Sequence, residues 1–337
     1  MSEARLKGRS IAVVGAGIAG LAAARGLVEE GADVAVFDKG RQPGGRVATL
    51  RAADLAFDHG AQFATAHGLD FAALVAGAET HGQAGSWVPR HMKADNSGAL
   101  SPGRSTETYR VGVPAMSELA RVLAQDLSIT QEARVTDLER GGGSWNLRFA
   151  DGTGRDSFDH VVLALPAPQI VPLITGIADF VTTVSATIYA PCWAVMAAFA
   201  EPLGLAVDAL TIDDTTLAWA ARDSSKPGRP AVQDCWVLHA SPEWSRTHIE
   251  AEADAIAVAL LARFQDLFGQ ALPAPMPEPS HLAAHRWRYA LVEQAADVPC
   301  LWDASLGIGA CGDWCIGPRV EAAFDSGTAM AKTIAEG

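Results

Sequence analysis

This 337-residue chain lacks the common metal and nucleophile motifs. It has no His-Glu-x-x-His and no Ser-His-Asp order, and Cys311 and Cys315, four apart, have no second Cys or His pair to complete a zinc set. Cysteine is scarce: Cys192, Cys235, Cys300, Cys311 and Cys315. An odd, scattered set argues against a disulfide framework and reads as reduced thiols in a cytoplasmic protein. Basic residues number 26 against 39 acidic ones, giving a formal net charge of −13 and a pI of about 5.1. No basic cluster offers itself to nucleic acid, and an anionic membrane surface would repel the chain. Membrane spans are also missing. Residues 161–178 and 180–200 are free of charge, but Pro166, Pro168, Pro172 and Pro191 interrupt them, and both read as buried strands joined by turns. No secretory leader is expected, because the first apolar run carries a nucleotide fingerprint and must stay folded. No internal repeat is seen.

What is there begins at Ile11. Ile11-Ala12-Val13-Val14 is a short apolar run of the kind that forms a buried parallel strand. Gly15-Ala16-Gly17-Ile18-Ala19-Gly20 follows and opens an Ala- and Leu-rich helix that Gly31 ends. In this pattern Gly15 permits the tight turn, Gly17 lets the backbone approach a pyrophosphate, and Gly20 lets helix and strand pack closely. The helix N-terminus offers free N–H groups and a positive dipole end to phosphates. Val34–Phe37 is the next strand, and Asp38 stands at its end, 18 residues after Gly20, where a carboxylate meets ribose hydroxyls. The spacing fits either NAD(H) or FAD.

Downstream, residues 47–50 and 55–57 suggest a hairpin, 70–80 a helix, 82–104 a loop or weak strands, and 115–126 a second helix. Residues 133–138, 145–149 and 158–163 form strands around the turn signal Asp151-Gly152, a meander feeding a last parallel strand. Strand patterns then dominate at 193–199, 209–212, 217–221 and 235–239. An amphipathic helix over 248–268 follows, with Ile256, Leu260 and Phe264 on one face. Four prolines between 273 and 279 make a stiff connector. Residues 285–289 and 306–310 read as strands, and 320–334 as a final helix. The expected fold class is α/β: a Rossmann-type FAD-binding domain with a parallel sheet and β-meander, plus a second domain built on an antiparallel sheet with helices. The first domain is expected from residues 1–70, 105–167 and 280–337, and the substrate domain from 71–104 and 168–279.

The doublet Gly44-Gly45 before Arg46 goes beyond what a nicotinamide-binding fold needs. Asp38 with Gly44-Gly45-Arg46 resembles the amine-oxidase-like flavoproteins, which implies that this loop lies along the FAD pyrophosphate, with Arg46 as a fixed positive charge. Asp58-His59-Gly60-Ala61-Gln62-Phe63, the stretch Trp219–Arg229, His285-Arg286-Trp287-Arg288-Tyr289 and Gly312-Asp313-Trp314-Cys315 are similar to the renalase family, a compact branch of those proteins. The similarity runs from about Ile11 to the C-terminus.

That resemblance implies a non-covalent FAD. It would be held by the fingerprint, by Asp38 and Lys39, by Gly44, Gly45 and Arg46, and by Gly60, Ala61, Gln62 and Phe63. Val135, Leu165, Gly312, Asp313, Arg319 and Val320 complete the set. Asp313 is expected on the ribityl or phosphate side, and the helix from Val320 aims its N-terminus at the flavin edge where reduction develops negative charge. Ala322-Ala323 departs from the Gly-Ala of the family pattern and puts the close approach of that helix in question. Cys315 is read as a buried thiol. The candidates for the reaction itself are Gln62, Tyr109, His285, Arg286, Trp287 and Tyr289, with no metal. Strand alternation puts Trp287 and Tyr289 with His285 on one face, and Arg286 and Arg288 on the other. The implied reaction is oxidation of the 2- and 6-dihydro isomers of NAD(P)H to NAD(P)+, with O2 reduced to H2O2. Amine oxidation, and flavin or NAD binding without turnover, remain the alternatives.

Overall fold

The computed structural model describes residues 5–103, 107–230 and 232–337. The apolar runs without turn residues become the centre of a six-stranded sheet. Ser10–Val14 pairs in parallel with Asp33–Phe37 on one side and His160–Leu163 on the other. Ser128–Thr130 extends one edge, and Ile308–Ala310 with antiparallel Leu301–Asp303 extends the other. Alternation divides the side chains: Ile11 and Val13 pack on the helical side, Ala12 and Val14 on the meander side. On the helical side Ile18–Glu29 meets Val320–Glu336. A Cβ on Gly327 would lie 2.1 Å from the Ala19 carbonyl oxygen, and one on Gly26 would lie 2.6 Å from the Ala331 Cβ. The close approach of the last helix to the first is therefore made at Gly327. The meander Val135–Gly141, Ser144–Phe149 and Gly154–Phe158 covers the opposite side, with Phe149 and Phe158 rings 5.2 and 6.0 Å from Phe37.

The second sheet has seven strands. In spatial order they are His281–Gln294, Ile188–Phe199, Asp234–Ala240, Leu217–Arg222, Ala209–Ile212, His91–Ala94 and Leu100–Pro102. All neighbours are antiparallel except His91–Ala94 with Ala209–Ile212. Val195, Ala197, Phe199 and Trp236 face the helix Ala253–Phe268, burying Ile256, Leu260 and Phe264. Met196, Ala198 and Val237 face the other way, onto Phe57.

Several expectations need correction. Residues 161–200 are not strands throughout: helices Ala167–Ile174 and Val181–Ser185 separate the two strands, and Pro168 suits the first turn of its helix, where an N–H has no partner to lose. The helix expected over 248–268 begins at Ala253; before it, Pro242–Thr247 is a separate helix capped by the Ser241 hydroxyl. The helix Leu69–Thr80 packs on the nucleotide side, Phe71 lying 5.4 Å from Phe324, rather than in the second domain. His281–Gln294 is an edge strand of the second sheet, so the chain returns to the first sheet after residue 294 and not at 280. The division expected between 104 and 105 lies outside the described residues. Among the described residues, no helix is long and apolar enough to cross a membrane.

Candidate functional site

At the head of the first strand Gly15 has φ +110°, and a Cβ there would sit 2.5 Å from the Ala164 oxygen. A Cβ on Gly20 would lie 1.9 Å from the Gly15 oxygen, so both positions require glycine for the fold itself. Gly17 differs: nothing lies within 4 Å of its Cβ position, so its glycine leaves open space beside the backbone. The helix it opens, through Ile18 and Ala19, has no side-chain cap and no acid in its first turn. Gly44, φ +133°, donates its N–H to the Ala16 oxygen at 2.8 Å, which lays the Gly44-Gly45 doublet against this turn. Asp38 Oδ2 accepts from Ala16 N at 2.7 Å and Oδ1 from Gly40 N at 2.6 Å. The carboxylate thus ties two loops together, and each oxygen keeps a lone pair for a ribose hydroxyl. Lys39 donates to Gln169 Oε1 at 3.1 Å, and burial lowers its pKa. Leu165 borders Gly15 and accepts from Trp314 Nε1 at 3.1 Å, while Val135, buried, begins the meander. An uncapped helix end, an open glycine and a carboxylate fit a dinucleotide.

Arg46 and Asp313, expected on the cofactor separately, meet each other. Arg46 Nη1 donates to Asp313 Oδ2 at 2.7 Å and Nη2 to Oδ1 at 2.5 Å, in a bidentate pair. Burial opposes the Arg46 charge, yet the Asp313 carboxylate holds its pKa above the ordinary value. The guanidinium also lies over the Tyr189 ring, and Tyr289 packs edge-on against Tyr189 at 5.8 Å. Gly312 donates its N–H to Ser326 Oγ at 3.0 Å. Arg319 is exposed at the start of the last helix, followed by Val320. Buried Glu321 accepts from His67 N and Gly68 N at 2.7 and 2.6 Å, which places an acid at the positive helix end.

The turn Asp58–Phe63 joins the two sheets. A Cβ on Gly60 would lie 2.0 Å from the Arg46 oxygen, and Ala61 N donates to that same oxygen at 2.9 Å. His59 O accepts from Trp287 Nε1 at 3.0 Å and from His239 Nε2 at 3.3 Å. The sheet meets the turn with one cross-strand row, His285–Ala194–His239–Trp219–Thr211. The His59 ring stacks on Trp287 at 5.2 Å, and His285 stands edge-on to both. At the other end Phe63 stacks on Tyr109 at 3.8 Å and approaches Trp219 at 5.9 Å. Burial pushes His59 and His239 down to about 4, with the His285 charge adding to the effect at His59, so both are neutral imidazoles near pH 7. The structure does not bring Arg286 to this face. It donates to the Ile249 oxygen at 2.6 Å and pairs with Glu250 at 3.2 Å, as Arg288 does at 2.6 Å. Gln62 is tied at both ends of its amide: its Nε2 donates to the Asp58 and Gly60 oxygens, and its Oε1 accepts from Lys226 Nζ at 3.3 Å.

Sequence reasoning missed the charges behind this turn. Lys226 Nζ lies 3.1 Å from Asp58 Oδ2 and 2.6 Å from Asp223 Oδ1, and Arg229 Nη2 donates to Asp58 at 2.5 Å. All four side chains are essentially buried. Asp58 also accepts from Thr49 Oγ1 at 2.7 Å and Met116 N at 3.0 Å. Burial opposes its charge, but Lys226 and Arg229 hold Asp58 well below the usual carboxylate range. Asp223, opposed by burial and by the Asp58 charge, is pushed up. The readable signal was Asp223-x-x-Lys226-Pro227-Gly228-Arg229, two cations around a Pro-Gly turn, which alone looks like a solvated loop.

Comparison with known proteins agrees with this geometry. Residues 13–76 match a family described as NAD(P)-binding Rossmann-like domain, and residues 82–334 match one described as flavin containing amine oxidoreductase. A zeta-carotene-forming phytoene desaturase of Myxococcus xanthus is 49% identical over 58 residues, a segment covering 17% of this chain and 11% of the desaturase. Among solved structures, a protein of Exiguobacterium sp. 255-15 provisionally named protoporphyrinogen oxidase has a TM-score of 0.79 at 14% identity, covering 98% of this chain and 99% of that one. Putrescine oxidase bound to putrescine has a TM-score of 0.70 at 14% identity, with 97% and 98% covered. At such identities the likeness shows a shared fold, while the match over residues 82–334 takes in most of the chain. The chain is a member of the flavin containing amine oxidoreductase family.

Proposed function

We propose that the chain binds FAD without a covalent bond and oxidises dihydronicotinamide dinucleotides, the 2- and 6-dihydro isomers of NAD(P)H, to NAD(P)+. O2 takes the hydride with one proton and leaves as H2O2. The flavin, when bound, supplies the hydride acceptor. What the chain supplies is a flat, neutral wall. The observation that carries the reading is the bank around the Asp58–Phe63 turn: aromatic rings on both sides, with the nearest histidines held neutral and the nearest carboxylates and cations bound to one another. A dihydropyridine that loses hydride becomes an aromatic pyridinium at once, so this reaction needs a ring held in place and no general base.

Arg46, paired with Asp313, and the open backbone at Gly17 lie on the side expected to hold the dinucleotide cofactor. Burial pushes the Cys315 thiol up to about 12, which leaves it protonated and unsuited to a thioether link with a flavin.

Anaerobic rapid mixing tests the proposal. The 2- or 6-dihydro isomers should bleach the flavin quickly, and ordinary NADH and simple amines slowly or not at all. Fast bleaching by amines, rising as the amine loses its proton, would replace the reading with amine oxidation. No bleaching by any donor would leave flavin binding without turnover.

A further inference from the structure

The indole N–H of Trp219 is an anomaly in this protein. Trp87, Trp145, Trp193, Trp236, Trp287 and Trp314 each donate theirs to a carbonyl, carboxylate or hydroxyl oxygen at 2.9–3.1 Å. Trp219 Nε1 is shut off from water and has no partner among the described residues. Trp302 shares that condition, but it packs edge-on to His160 at 5.4 Å on the outer strand of the first sheet, far from the turn in the fold. Trp219 lies in the cross-strand row that faces the turn, directly opposite His239. Its ring touches Phe63 of the turn and His91, at 5.9 and 5.5 Å.

His91, whose ring packs against Trp219, is engaged elsewhere. His91 Nε2 lies 2.9 Å from Thr211 Oγ1, and His91 Nδ1 lies 3.4 Å from the Tyr109 hydroxyl. A buried donor without an acceptor is costly, and it calls for a group that arrives with the ligand. The ring is only partly buried but its N–H edge is covered, so the contact forms as a neighbouring ring, Phe63 or His91, shifts to admit the ligand.

We infer that Trp219 is a specificity residue whose indole N–H donates to the carbonyl oxygen on the ring of the substrate, the carboxamide of a nicotinamide in the reading given above, on which this inference rests. Phe63 and Tyr109 supply the flat surface for the ring, and Trp219 supplies the one directional bond. A site that spends a buried donor in this way rejects rings lacking the acceptor, because the donor is then left unpaired.

The test is calorimetric titration of the flavin-loaded protein and of Trp219→Phe, which keeps an aromatic ring and removes the N–H. Three oxidised dinucleotides serve as probes: NAD+, its 3-acetylpyridine analogue, which keeps the carbonyl, and its unsubstituted pyridine analogue. The natural chain should bind the first two alike and the third about tenfold to a hundredfold more weakly. Trp219→Phe should bind all three at the weak level. Equal binding of all three by the natural chain overturns the inference, and this comparison needs no variant to fold. Retention of the carbonyl preference by Trp219→Phe overturns it too. If NAD+ binds with the predicted preference but no dihydro isomer bleaches the flavin, the functional reading fails while the Trp219 contact stands. If no nicotinamide dinucleotide binds, both fall.

Discussion

Asp58 and Asp223 share Lys226, yet replacing them should have opposite pH signatures. Asp58 accepts four hydrogen bonds, two of them from the cations Lys226 and Arg229. Asp58→Asn takes away the charge these cations face, and removing one partner of a buried pair costs about 3–5 kcal/mol. With about 2.1 cal/mol/K of unfolding entropy per residue, 337 residues give about 0.7 kcal/mol/K, so Tm should fall by about 4–7 °C at pH 7. Asp223 is a carboxylate that its surroundings resist ionising. Asp223→Asn removes a disfavoured charge and should cost no more than about 1–2 kcal/mol at pH 7. Because the folded pKa of Asp58 is depressed, its contribution is present above the unfolded value of about 3.9 and is lost as pH falls through the folded one. The folded pKa of Asp223 is raised, so its contribution is present below about 3.9 and is lost as pH rises through the folded one. Thermal unfolding of the natural chain and both variants from pH 3 to 8 measures this. The Asp58→Asn gap should close in acid and the Asp223→Asn gap should widen there. Parallel pH profiles, or an equal loss for both at pH 7, would refute the reasoning.

Gly17→Val should leave the fold stable and abolish flavin retention, since its side chain enters open space. Gly20→Ala should lower Tm, because its Cβ meets the Gly15 oxygen at 1.9 Å; flavin content and melting of each variant check the contrast. Asp38→Ala should weaken flavin binding by about 1–3 kcal/mol, read by titrating flavin into the cofactor-free chain. The rate of flavin reduction should be flat from about pH 6 to 9, since His59 and His239 are held at about 4 and stay neutral across that range; a break near pH 6.5 in a rapid-mixing profile would contradict it.

The nucleotide end was legible because its constraints are local. Gly15, Gly17, Gly20 and Asp38 act through spacing along one strand and one helix, and the parallel strands are short uninterrupted apolar runs. The second sheet was legible as strands but not in its borders. The segment around Trp287 reads as a strand in either domain, and only its pairing with Ile188–Phe199 assigns it. Helix Ala167–Ile174 was hidden by its own prolines: Pro168 stands in the first turn, which accepts it, while Pro172 stands inside the helix, where proline argues against one. The Lys226 cluster depended on contacts between residues 58 and 229, a separation that no local pattern encodes. Arg46 and Asp313 were each picked out by motif, but their pairing across 267 residues was not.

The seam between the helices Ile18–Glu29 and Val320–Glu336 bears on the order of events during synthesis. The fingerprint emerges from the ribosome before the helix that packs on it, and the whole seven-stranded sheet is made in between. Until Gly327 reaches Ala19 and Asp313 reaches Arg46, the helix Ile18–Glu29 that covers the first strand has its own outer face open and Arg46 lacks its bidentate counter-ion. Closure over the fingerprint waits for the helix Val320–Glu336, and until then a nascent chain must keep an apolar, glycine-rich segment from misassociating.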